Sequence, residues 1–459
     1  MTKVVEKTTD DNNCTKYTPL QAIDEFDLKH GILDSTTPKE TYLSGRYKRS
    51  FAYYTFRYRL PNTLSSLLKS LQQELNVHIY SKDEIVRVLE CVTKLKNQLE
   101  NDAQLEKFQQ NESDSDLWNN FLSSLPSGAS FFKTCWIYAE CYLYRKIYSF
   151  FEASTDDLRD YDYFAPQKIN ALQISDNAME EVLLSIKSVN NCDTLSHMLK
   201  LNLWGNKCDL SISSGQEIKP LDNLHKQIDC LNDNILIDNS AQIWDCLNKP
   251  GASKSVDFIC DNAGFELFTD LLLAQYLIEN KLADEVRFHV KAMPWFVSDT
   301  TYNDIKYTLK YLEDHKSEVL NKFGRQCSKN FNENRFKLCP PLEKEYFWTT
   351  PFEFYRMQEV SPSLYAQLCS SSLIIFKGDL NYRKLLGDFN WETTNDFSSC
   401  LRGFQPSNLC ALRTIKGPVI CGLKSGQAEQ LFLKKMDWMF TGDYAVIQFA
   451  GKNSEHSIS

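Results

Sequence analysis

The sequence predicts an α/β protein in which a parallel or mostly parallel sheet is covered by helices and preceded by an all-helical stretch. Three observations predict it. From residue 256 short apolar runs alternate with helical patterns: a run at 256–260, a helix to 280, a run at 285–292 and a helix through 312, with later runs at 373–376, 419–423 and 445–449. In the first third, apolar residues recur at helical spacing instead. Between these regions the stretch Val256-Asp257-Phe258-Ile259-Cys260-Asp261-Asn262-Ala263-Gly264-Phe265 reads as strand, tight turn and helix start.

Taken in order, residues 1–40 read as a flexible leader and docking arm, 41–195 as a helical domain, 196–450 as the α/β catalytic domain and 451–459 as a polar tail. Residues 46–59 interleave basic and aromatic side chains, a pattern that can bind nucleic acid. The aromatic spacing and the following Leu-Pro-Asn-Thr break favour a packed arm entering a helix. Helices are expected over 64–75 and 82–99, with Thr63 and Ser81 as caps. The polar residues 100–116 read as a helix end and solvent loop, and 131–151 as an aromatic-rich helix containing Glu140. That carboxylate is either a wall of a site or half of a structural ion pair, the reading favoured because buried carboxylates need partners. A loop over 157–168, a helix over 170–189 and a dense polar turn over 203–211 complete the approach to the sheet.

Composition restricts the function classes. With 42% hydrophobic and 13% aromatic residues, the chain can bury a substantial core. Its 51 basic and 60 acidic residues give a formal charge of −9, which argues against a nucleic-acid binder relying on overall positive charge. The start of the chain is polar and no run is long enough to span a bilayer, so the expected placement is intracellular, in cytoplasm or nucleus, without membrane contact. Fifteen cysteines without a Cys-x-x-Cys pair suggest free thiols packed as small hydrophobes. Seven dispersed histidines offer no zinc-hydrolase spacing, so metal chemistry would use carboxylate and amide oxygens. Oligomeric state is not readable.

Four clusters carry candidate chemistry. Asp261 supplies a hard anionic oxygen and Asn262 an amide oxygen after an apolar run, where ligands sit in open α/β sheets. Asp and Asn also begin turns and cap helices for structural reasons. Asp299 follows the next run and either converges with Asp261 or caps the next helix. The stretch Lys377-Gly378-Asp379-Leu380-Asn381-Tyr382-Arg383-Lys384 ends a further run in groups that suit a phosphate. Arg413 and Lys416 add two cations. Each alone reads equally as a solvated loop, but their shared position at the ends of apolar runs points to one site.

These residues carry a resemblance. Asp261-Asn262-Ala263-Gly264-Phe265-Glu266-Leu267, Trp295-Phe296-Val297-Ser298-Asp299-Thr300, Lys377 to Arg383 and Trp204-Gly205-Asn206-Lys207 resemble the damage-control phosphatase family. Arg413-Thr414-Ile415-Lys416 fits the Arg-Thr-x-Lys motif of one subfamily. The resemblance spans nearly the whole chain. It implies a helical N-terminal domain, a Rossmann-like α/β catalytic domain and a metal-dependent phosphatase acting on sugar phosphates such as fructose 1-phosphate and fructose 6-phosphate. It further implies manganese, cobalt, nickel or magnesium held by Asp261, Asn262 and Asp299. Asp261 and Asn262, with Asp379, Leu380, Asn381, Tyr382 and Arg383, would line the substrate site, and Lys416 would contact the phosphate.

The chemistry is consistent with this implication, because phosphate monoesters are very unreactive and their hydrolysis requires positive charge gathered around oxygens held in line. Attack by an activated water, with an acidic general base, is preferred over Asp261 as a covalent nucleophile. An alternative implied by the same subfamily is protein carboxyl methylation with S-adenosylmethionine, for which Glu266 and Asp299 would contact the methionine or ribose portion. A turn with the single glycine Gly264 and a cationic pocket argue against it, and the joint presence of the proposed ligands and Lys416 argues against a non-enzymatic binding module.

Overall fold

The structure, a computed structural model, describes residues 22–75, 80–109, 113–154, 156–186, 189–206, 231–249, 254–339 and 346–452. Most of the turn expected over 203–211 lies outside the described residues, as do the first residues of the leader and the end of the tail.

The sheet is built from β1 (Ile235–Asp238), β2 (Ser255–Ile259), β3 (Glu285–His289), β4 (Phe336–Cys339), β5 (Leu373–Lys377), β6 (Leu409–Thr414) and β7 (Ala445–Ala450), in the order β1-β7-β6-β5-β2-β3-β4. Neighbours from β6 to β4 run parallel, β7 is antiparallel to β6, and β1 is parallel to β7. Strand alternation divides the core. On β5, Ile374 and Phe376 face the layer containing the helices Leu60–Glu74, Lys82–Glu100 and Trp136–Glu152, while Leu373 and Ile375 face the opposite layer. Both faces are therefore covered, which is why these strands read as continuous apolar runs. The helix Phe265–Glu279 is buried almost all round because it lies between the sheet and the helix Cys192–Gly205.

Several local expectations are corrected. Ser50, whose side chain accepts from the Tyr53 amide, starts the first long helical run, and Thr63 lies inside it with its hydroxyl bonded back to the Arg59 carbonyl at 3.1 Å. Leu-Pro-Asn-Thr is no break. Pro61 has no amide hydrogen to give the preceding turn, and the chain widens to π-helix over Thr55–Arg59 before continuing as Leu60–Glu74. Ser81 does hold the cap position of Lys82–Glu100, without a side-chain bond. The expected helix at 170–189 is two, Ala165–Gln173 and Asp176–Ser185, separated where the Ser175 hydroxyl turns back to the Ala171 carbonyl at 2.7 Å. Asp114, expected in a solvent loop, is buried against Arg145 Nε at 2.7 Å.

The apolar run 419–423 is buried but forms no strand, since the Gly422 and Leu423 amides donate to Asn395 and Thr393 carbonyls. The strand is β6, just before it. No helix among the described residues is long and apolar enough to cross a membrane.

Candidate active site

Strand order creates the site. From β2 the chain winds outward to β3 and β4 on one side, whereas β5 lies against the other side of β2 and leads on to β6. The carboxyl ends of β2 and β5 therefore flank the point where the winding reverses, and a crevice opens there. It is a cleft bordered by Asp261, Asn262, Asp299, Asp379, Leu380, Arg383 and Lys416, together with Phe51, Arg59, Trp136 and Phe296.

Each wall has a local cause. Past β2 the chain turns through Gly264 at φ 73°, a conformation glycine adopts without a Cβ clash, and enters the helix Phe265–Glu279. Asp261 Oδ2 accepts from the amides of Asn206 and Asn262, each at 2.9 Å. The Asn262 side-chain oxygen accepts from Ser298 Oγ at 2.6 Å, and the backbone around Asn262 pairs with that around Asp299. Asp299 is thereby drawn beside Asp261, with Lys291 Nζ 3.1 Å from its carboxylate. The helix cap is instead Thr301, in a reciprocal capping box with Asp304. Phe296 and Val297 precede Asp299 at φ 43° and 71°. A left-handed β-branched residue is a genuine outlier, and such strain gathers where a loop's aim matters.

The β5 wall approaches closely. A Cβ on Gly378 (φ 76°) would lie 1.8 Å from Asp261 Oδ2, so only glycine lets the end of β5 reach Asp261. Asp379 follows, its Oδ1 held by Arg413 Nε at 2.7 Å and by the Lys416 amide at 3.3 Å. Lys416 Nζ donates to the Asn206 carbonyl at 2.5 Å. Asn206 thus joins the β2 and β6 ends, its side-chain Nδ2 donating to Asp261 and Glu266 and its side-chain Oδ1 accepting from the Thr414 hydroxyl.

Several candidates do not reach the cleft. Asn381 donates to the Lys377 carbonyl at 2.7 Å, and the Tyr382 hydroxyl donates to Gln448 at 2.7 Å; both side chains brace the fold. Glu266 accepts from Asn206, Asn262 and Lys377 at 2.6, 2.8 and 2.8 Å, which engages both oxygens in the wall behind Asp261. That leaves no support for a cofactor-contacting Glu266. Lys377 is no phosphate ligand either. Burial works against its charge, but Asp270 and Glu266 overcome it and push its pKa up. Asp270 itself is raised to about 6, chiefly by burial. Arg413 spends its guanidinium on Asp379 and on the Gly417 and Val419 carbonyls.

The far wall joins Arg383, already a substrate-site candidate, to Glu140 and to Arg59. Glu140 is the structural ion-pair partner favoured above, accepting from Arg59 at 2.7 Å and Arg383 at 2.8 Å. Arg383 also grips Asp388 at 2.8 and 3.0 Å, and its guanidinium lies 3.4 Å from the Trp136 ring centroid. Burial opposes the Arg383 charge, yet Asp388 and Glu140 hold its pKa above the usual arginine range. The one available signal for Arg59 was the basic and aromatic run that contains it.

The donor set at the β2 end is two carboxylates and an amide oxygen, chemistry that fits a hard divalent cation. No group of three His, Cys, Asp or Glu side chains with metal-site geometry occurs among the described residues.

The damage-control phosphatase ARMT1-like domain matches residues 55–431. Damage-control phosphatase ARMT1 of Xenopus tropicalis is 37% identical over 436 residues, covering 89% of this chain and 98% of that protein. The Homo sapiens protein of the same name is 32% identical, again over 89% of this chain and 98% of its own length. Among solved structures, a DUF89 family protein from Pyrococcus horikoshii has a TM-score of 0.44 at 16% identity, covering 84% of this chain and 96% of that one.

Proposed function

The chain belongs to the damage-control phosphatase ARMT1-like family, and from that premise we propose that its cleft hydrolyses small phosphate monoesters, sugar phosphates foremost, with a divalent cation. Fructose 1-phosphate and fructose 6-phosphate are the first substrates to test, and manganese, cobalt, nickel and magnesium the first metals. The observation supporting this reading is the meeting of Asp261, Asn262, Asp299, Asp379, Arg383 and Lys416 around one crevice at the reversal of strand order.

Asp261, Asn262 and Asp299 would hold the cation, which when bound supplies Lewis-acid polarisation of the phosphoryl group and lowers the pKa of water. The chain's own residues do the rest. Lys416, fixed through its ammonium to the Asn206 carbonyl, presents positive charge to the phosphate oxygens. Asp379 lies outside the ligand set with Oδ1 anchored by Arg413, and its carboxylate takes the proton of the attacking water. Phe51, Trp136 and Phe296 cover the opposite side and limit bulk water, which strengthens each charge interaction inside.

The test is phosphate release from a panel of sugar phosphates by chelated protein resupplied with each metal, beside Asp261→Ala. Metal-restored release that vanishes in the variant is expected. Full metal-dependent turnover by Asp261→Ala would overturn the site assignment.

A further inference from the structure

Among the described residues, Arg59 is the one cation that the N-terminal part of the chain contributes to the border of the cleft. It stands at the end of the π-helical turn Thr55–Arg59, with its side chain 10% exposed. Among the described residues its NH2 group donates to Glu140 Oε1 at 2.7 Å and no other hydrogen bond of its side chain is made, and the guanidinium borders the cleft. Around it the aromatic wall is fixed by packing. Phe51 stacks on Phe440 at 4.7 Å and meets Trp136 edge-on at 5.6 Å, while Phe296 stacks on Tyr144 at 4.5 Å.

Charge at this end is balanced. Arg59 and Arg383 face Glu140 and Asp388, two guanidinium groups against two carboxylates in one hydrogen-bonded chain. Such a set has no net charge for a second phosphate. What it offers is a planar donor beside rigid ring surfaces, which matches the alternating hydroxyl and C–H faces of a polyol. We infer that Arg59 is a specificity-determining residue, donating its remaining N–H groups to hydroxyl or carbonyl oxygens of the sugar portion of the substrate while the opposite end of the cleft handles the phosphate. The inference rests on the phosphatase reading above.

It separates recognition of the alcohol portion from hydrolysis, and substrates with and without hydroxyls distinguish the two. The experiment compares kcat/KM for fructose 1-phosphate and para-nitrophenyl phosphate in wild type, Arg59→Ala and Arg59→Lys, with thermal unfolding of each. Arg59→Lys keeps a cation for Glu140, so it preserves the fold even where Arg59→Ala does not. Both variants should lower the sugar-to-aryl preference by about 10- to 100-fold, the worth of hydrogen bonds from a charged donor. Equal loss on both esters, or no loss on either, would overturn the inference while leaving the phosphatase intact. No release from any ester by wild type would remove the phosphatase reading and this inference with it.

Discussion

The two ends of the cleft are built by different means. The acid end is assembled from strand termini, where Asp261 and Asn262 leave β2, Asp379 follows β5 and Asp299 is drawn in by backbone pairing with the Asn262 turn. The opposite end is assembled from helical surfaces far apart in sequence, Arg59 and Glu140 being separated by 81 residues and Arg383 and Glu140 by 243. At the first end the sheet backbone fixes the groups. At the second, side chains fix one another through ion pairs and ring contacts. On the proposed function, the difference teaches that reaction chemistry would sit where the sheet backbone fixes its groups, while recognition would be delegated to a wall whose side chains can change without disturbing strand order.

That contrast can be broken most severely at the acid end. Asp299→Asn keeps the shape beside Lys291 and removes the charge, and kcat should fall by about 10³-fold with little change in thermal unfolding. Steady-state kinetics with each metal checks it, and near wild-type kcat would detach Asp299 from the reaction.

Next in size is Gly378→Ala. Its methyl group would stand 1.8 Å from Asp261 Oδ2, so the β5 end must retreat. A loss of about 2 kcal/mol of stability from overpacking is expected, together with roughly 100-fold lower turnover from misplacement. Denaturant titration beside kinetics separates the two, and unchanged values would mean that the close approach is not needed.

At the recognition end, Trp136→Leu removes the ring under Arg383. It should destabilise by about 2 to 3 kcal/mol. KM for a sugar phosphate should rise about 10-fold while kcat per folded molecule stays close to that of wild type. A fall in kcat alone would erase the proposed division between the two ends.

The smallest effect concerns Lys384, on the helix Gly378–Leu385 that carries both Asp379 and Arg383. Burial lowers its pKa from 10.5 to about 8. Between those values the unfolded chain keeps a proton that the folded protein has released, so this group makes stability rise with pH across that window. Below about 8 both states hold the proton and its contribution is level. Lys384→Met should flatten the rise in urea-unfolding stability, and an identical slope in the variant would show that the lysine is not responsible.

Much of the acid end was legible. A β-branched and aromatic run closing in Asp-Asn-Ala-Gly before a helix is a local signature, because strand period, turn chemistry and helix spacing all act within a dozen residues. The helical first third was legible for the same reason. Thr63 was misread because a π turn carried the helix past Pro61, a local strain that propensity does not register. The resemblance implies a substrate-lining stretch from Asp379 to Arg383 that includes Asn381 and Tyr382, but a helix turns successive side chains to different sides and these two point into the fold.

By itself, then, the sequence determined the α/β class, the strand–turn–helix after β2 and the identity of the acidic residues, since these depend on neighbours along the chain. Only the tertiary structure decided that β5 lies beside β2, that Gly378 brings Asp379 up to Asp261, and that Arg59 meets Glu140 and Arg383 across the cleft. Those meetings follow from burying whole helix and sheet faces against one another, and no window of sequence contains the partner that each face will cover.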